Sequence, residues 1–92
     1  MRYVSTRGCG SSWTFSEAIL LGMAPNGGLL VPERMPRPHV GSMPSIEDLP
    51  ALAAWLLRPF LDGDALAGDL DEICHTAFNF PMPLVRVDKN TW

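Results

Sequence analysis

Cysteine is scarce in this sequence. Cys9 and Cys74 are the only thiols, too few for the disulfide framework of a small secreted protein and without the spacing of a zinc site. Two reduced thiols in a cytoplasmic protein are the expectation. Clustered basic charge is also missing. Arg2, Arg7, Arg34, Arg37, Arg58, Arg86 and Lys89 are scattered along a chain whose formal net charge is −3. No basic stripe exists to follow a phosphate backbone, so nucleic-acid binding is not expected. No apolar run approaches the roughly 20 residues that a membrane helix needs. The opening Met1-Arg2-Tyr3-Val4 lacks the apolar core of an export signal. The acids Asp62, Asp64, Asp69, Asp71 and Glu72 do not have the ligand spacing of a calcium loop.

Punctuation is what the sequence has in plenty. Nine prolines and eight glycines among 92 residues exceed the roughly 12% of an average protein. Short elements joined by stiff turns follow. With 47% hydrophobic and 18% charged residues, the chain has the composition of an ordinary folded domain. At this length it can support one thin core.

Arg2 to Thr6 alternates and reads as a strand, followed by a loop through Ser12. Thr14 and Glu17 form a capping box for a first helix, with Trp13 placed for a hydrophobic staple and Gly22 placed to end it. Ala24-Pro25-Asn26-Gly27 is a turn in which proline presets one φ and asparagine and glycine tolerate positive φ. Gly28 to Val31 reads as a second strand halted by Pro32, and Glu33 to Pro44 as an irregular surface excursion. A second helix is expected to open at Ser45, with Pro50 in its first turn and Pro59 breaking it. Its segment Ala51 to Leu57 is apolar nearly all round, which predicts burial. A third helix after Asp62-Gly63-Asp64 carries one apolar stripe of Leu66, Leu70, Ile73, Cys74 and Ala77. Leu84 to Val87 reads as a last strand. The expected class is α+β, with two or three short strands and three helices. The strands have few partners within the chain, so some edges are expected to be completed by other sequence or another copy.

Candidate chemistry is sparse. Cys74 and His75 are helical neighbours and point about 100° apart, so they cannot act as a nucleophile–base pair. Cys74 reads as core, and Asp71 with His75 as a solvated pair. Gly8-Cys9-Gly10 follows a strand, but Trp13 stands where a dinucleotide loop needs its third glycine. Ser5-Thr6-Arg7-Gly8 is the more informative group. Its hydroxyls and guanidinium at a strand end suit an anion. The competing reading pairs Arg7 with a carboxylate and gives Thr6 the task of holding the turn.

Tyr3 to Gly8, Phe15-Ser16-Glu17-Ala18 running to Gly22, Ala24 to Pro32, and Ala77-Phe78-Asn79-Phe80-Pro81-Met82-Pro83 occur in that order. Together they resemble the start of the threonine synthases, with Asn26 where the family commonly has aspartate. The resemblance covers nearly the whole chain and is weak between Glu33 and Pro44. It implies that residues 1–92 form the N-terminal module of a larger pyridoxal-phosphate enzyme of fold type II. That enzyme, of the tryptophan-synthase-β-like class, would convert O-phospho-L-homoserine and water to threonine and phosphate. The Schiff-base lysine of the family, in a Phe-Lys-Asp context, and its glycine-rich phosphate loop would lie in later sequence. Lys89 stands in Asp88-Lys89-Asn90 and does not match. The resemblance therefore implies no catalytic, cofactor or metal residue in this chain and no activity from it alone. Thr6 and Arg7 are the residues expected beside substrate, while Pro25, Gly27 and Gly28 are expected to be structural. The partner expected for the module is the remainder of its own polypeptide, continuing past Trp92. Two other readings stay open: the same module in a related pyridoxal-phosphate lyase acting on another phosphorylated substrate, and a free-standing interaction module.

Overall fold

The computed structural model describes all residues, 1–92. It has the expected class, a three-stranded antiparallel sheet beside three helices. Strand β1 (Tyr3–Ser5) is central, between β2 (Ser12–Trp13) and β3 (Leu30–Pro32). Tyr3 faces Trp13 on one side and Pro32 on the other, and Val4 faces Ser12 and Val31. Pro32 therefore belongs to β3 rather than halting it. An edge strand tolerates a residue without an N–H. The segment expected as loop through Ser12 contributes β2, because the Arg2 side chain clamps it. Arg2 Nε donates to Ser12 Oγ at 3.0 Å and Nη2 to the Ser12 carbonyl at 2.7 Å.

Helix α1 (Phe15–Leu21) is closed at its start by the expected capping box. Glu17 N–H donates to Thr14 Oγ1 at 3.2 Å and Thr14 N–H to Glu17 Oε2 at 2.8 Å. Gly22, at φ 70°, ends it. Helix α2 (Leu49–Leu57) begins later than Ser45, because Asp48 is the cap and accepts from Ala51 N–H at 3.1 Å. Pro50 lies in its first turn, and a 3-10 turn over Arg58–Leu61 replaces the helix where Pro59 breaks it. Helix α3 (Leu70–Ala77) is shorter than the apolar stripe suggested. Ala65–Asp69 forms a separate 3-10 turn, opened by Asp64 accepting from Leu66 N–H at 2.9 Å.

The core lies where α2 and α3 meet their flanking turns. Ala54, Leu61, Leu70 and Cys74 are buried there, with Phe15, Ala53, Phe60, Leu66, Ala67 and Phe78 packed around them. Two joints attach the sheet layer. Tyr3 packs edge-on against Phe15 at 5.7 Å between ring centres and donates from Oη to the Phe60 carbonyl at 3.1 Å. Asp64 receives the Ser16 N–H at 2.9 Å and the Ser16 hydroxyl, so one carboxylate ties the start of α1 to the entry of α3. Partial burial pulls the Asp64 carboxyl upward, but the bonds from Ser16, Leu66 and Thr14 outweigh it and hold the group below its ordinary value.

Three expectations are corrected by packing. Only Ala54 of α2 is buried, and Leu56 is 50% exposed, because α3 covers one side of the helix. Ile73 is 43% exposed for the same reason, while Leu70 and Cys74 of its stripe are buried. Leu84 to Val87 forms no strand, since no edge of the sheet reaches it. Its neighbouring turn is held by an isolated bridge between Asp88 and Thr91. Both cysteines are free, Cys9 exposed and Cys74 buried.

Candidate functional site

The most tightly built polar group is a corner where the end of β1 meets the turn before β3. The turn closes on itself: Gly27 N–H donates to the Ala24 carbonyl at 2.8 Å and Ala24 N–H to the Gly28 carbonyl at 2.9 Å. Gly27 has φ 79°, the left-handed region that glycine adopts without strain. Asn26 Oδ1 accepts from Gly28 N–H at 3.1 Å and from the Ser5 hydroxyl at 2.7 Å. Ser5 Oγ in turn accepts from Arg7 N–H at 3.2 Å. Ser5 is the one buried polar side chain of the protein, and this relay satisfies it.

Thr6 holds the other seam. Its N–H donates to the Leu29 carbonyl at 2.9 Å, and its Oγ1 accepts from Leu29 N–H at 2.9 Å. Gly8 N–H then reaches back to the Ser5 carbonyl at 3.0 Å and turns the chain away. Arg7 does not pair with a carboxylate. It donates from Nη1 to the Asn26 carbonyl at 3.1 Å and lies exposed across Gly27, where a Cβ would sit 2.9 Å from Nη1. The approach at Gly28 is closer still, with a Cβ falling 2.1 Å from Ser5 Oγ.

The structure thus brings together both residues expected beside substrate, Thr6 and Arg7, along with Pro25, Gly27 and Gly28. Thr6 is committed to the backbone of Leu29, the residue before β3, which answers its role in holding the turn. Arg7 keeps a guanidinium with one protein bond and a face open to solvent. Ser5 was read in sequence as one hydroxyl of the anion group and Asn26 as a turn residue, but the bond that joins them across the corner was not. The signal was present in Asn26, whose side chain bonds the N–H two residues on. Asp71 and His75 form no acid–base pair. The Asp71 carboxylate is held by Arg58 at 2.8 Å, and His75 Nδ1 lies 2.8 Å from the Asp71 carbonyl. Burial, then the nearby Asp71 charge, pushes the Cys74 thiol up against the smaller opposing pull of Arg58, which suits a core residue.

A small α+β module whose best-ordered polar feature is a strand-end corner carrying one open arginine is the class that these observations define. The chain matches the family described as threonine synthase N terminus over residues 2–78. It is 34% identical over 99 residues to threonine synthase of Pseudomonas aeruginosa, a match that covers 100% of this chain and 21% of the relative. It is 31% identical to threonine synthase of Haemophilus influenzae, covering 86% of this chain and 19% of the relative. Human threonine synthase-like 2 is 35% identical over 86% of this chain and 17% of its own length. No solved structure matches the chain. The chain belongs to the threonine synthase N-terminal family, and it spans about a fifth of the length of the first two of these relatives.

Proposed function

We propose that residues 1–92 are the N-terminal module of a threonine synthase, a pyridoxal-phosphate lyase acting on O-phospho-L-homoserine, and that Arg7 lies beside the substrate in the complete enzyme. The observation that carries the second part is the state of Arg7. A guanidinium with no carboxylate partner is held by Asn26 at 3.1 Å with most of its donors free. A fork of N–H donors suits phosphate.

The residues of this chain do not fit pyridoxal phosphate. Lys89, the single lysine, is exposed in the Asp88–Thr91 turn, where its backbone N–H is bonded to Asp88 Oδ1 at 2.6 Å. The lysine and the cofactor phosphate loop belong to the remainder of the polypeptide, which is also the partner of this module. Cytoplasmic location fits that activity, and no helix here is long and apolar enough to cross a membrane.

The experiment is steady-state kinetics on the complete enzyme with Arg7→Ala and, as control, Lys89→Ala. The expected outcome is a fall in kcat/KM of about tenfold or more for Arg7→Ala, the loss of about one charged hydrogen bond. Lys89→Ala is expected to behave as the unsubstituted enzyme. Equal kinetics for both variants would refute the placement of Arg7, and an enzyme with no lyase activity on O-phospho-L-homoserine would refute the assignment.

A further inference from the structure

The arginines scattered through the sequence are not scattered in space. Arg34, Arg37 and Arg58, three of the six in the chain, line one open cleft of about 630 Å³. His39 and Trp55 also line it, and Asp62 is the one carboxylate among its lining residues. This is a positive recess on a chain whose formal net charge is −3. It is separate from the Arg7 corner, none of whose residues line it.

The cleft is braced. Trp55 Nε1 donates to Ser42 Oγ at 3.1 Å, and that hydroxyl donates to the His39 carbonyl at 2.9 Å. Ser42 N–H meets the same carbonyl at 3.0 Å. The surface loop is thereby fastened to α2. The His39 ring lies over Gly41, where a Cβ would come within 2.8 Å of it. Pro36 and Pro38 flank Arg37 and fix φ on both sides of it. Neither Arg34 nor Arg37 is paired with a carboxylate, since the ion pair of the chain is Arg58–Asp71. Placing the unpaired Arg34 and Arg37 on one cleft costs repulsion, which an anion between them relieves. The volume falls within the range of small-molecule sites, roughly 300–1,000 Å³. Trp55 offers a flat apolar surface beside the charges for the organic part of a ligand.

We propose that this cleft binds a small molecule bearing a diphosphate group. Arg34 and Arg37 carry no carboxylate partner, Arg58 is shared with Asp71, and the forked donors of the three match the oxygens of such a group. The inference does not depend on the function proposed above, because it concerns different residues and a different readout.

The test is calorimetric titration of pyrophosphate into the chain at physiological ionic strength. Saturable one-to-one binding is expected, weakened about tenfold or more in the Arg34→Gln/Arg37→Gln double variant and unchanged in Lys89→Gln, which removes one exposed charge away from the cleft. Arg34→Lys/Arg37→Lys, which keeps both charges but loses the forks, is expected to fall between them. The melting temperature of each variant is read alongside and is expected to stay at the wild-type value, since both side chains are exposed. Absence of saturable binding overturns the proposal. So does undiminished binding by the glutamine double variant, loss of binding in Lys89→Gln, or tighter binding of a poly-glutamate peptide than of pyrophosphate.

Discussion

At Gly28 a single added methyl group would meet the Ser5 hydroxyl at 2.1 Å and the Arg7 nitrogen at 3.1 Å. Ser5 cannot retreat without leaving Asn26, and the Arg7 nitrogen is backbone. Gly28→Ala is therefore expected to destabilise the chain by about 1–3 kcal/mol. Gly68→Ala is the matched control, because a Cβ there meets nothing within 4 Å and the backbone is not in the left-handed region. It is expected to be neutral or slightly stabilising. Urea denaturation of the two variants separates these outcomes, and equal midpoints would contradict the close approach. The need for glycine at the turn was legible in sequence, since Pro25-Asn26-Gly27 declares it. The partner of Arg7 was not. Sequence offered an anion or a carboxylate, and the structure supplies a backbone carbonyl across the turn. That choice depends on a register between β1 and β3 which no local pattern encodes.

Among the elements, α1 was the best written, because both halves of its capping box lie within its own first turn. What sequence could not show is how α1 is held to the helical layer. That rests on Asp64, far along the chain, receiving two bonds from Ser16 while also opening the turn before α3. Its carboxyl is held below the ordinary value of 3.8. A group depressed in the folded state stabilises the fold above its unfolded pKa, and the contribution disappears as pH falls through the folded one. Thermal melting is therefore expected to show a loss of stability on acidification below about pH 4 that is reduced in Asp64→Asn. At neutral pH the same substitution is expected to cost about 1–2 kcal/mol, the low end for charge-assisted bonds near solvent. A wild-type and variant pair with parallel pH profiles would remove Asp64 from this role. The stripe of α3 and the apolar girth of α2 show a different limit of sequence reading. Periodicity finds an apolar face but not its cover. Leu70 and Cys74 have one, whereas Ile73, Leu56 and Leu57 do not in this chain.

Taken as a whole, the molecule buries eight of its 92 residues, which makes its core thin, and leaves large apolar side chains from Ile19 to Trp92 in solvent. The α+β class was readable, because caps, turns and periods are local. The Arg34, Arg37 and Arg58 cleft was not, because it is assembled by a proline-rich loop folding against α2. The strand expected at Leu84 to Val87 failed for a related reason: its pattern is apolar, but a strand needs a neighbour. One further consequence lies in the two thiols. Cys9 stands in water on the loop between β1 and β2, while Cys74 is 2% exposed at the centre of the core. The chain therefore carries a reporter dye's attachment point and a clock for its own opening. An aromatic disulfide reagent is expected to consume one equivalent at once and the second only as fast as the core unfolds, with urea accelerating the second phase alone. Two equivalents consumed together would mean that the core opens faster than the chemistry. Once Cys9 has been capped, the remaining slow signal measures how long Cys74 stays enclosed, without any substitution in the protein.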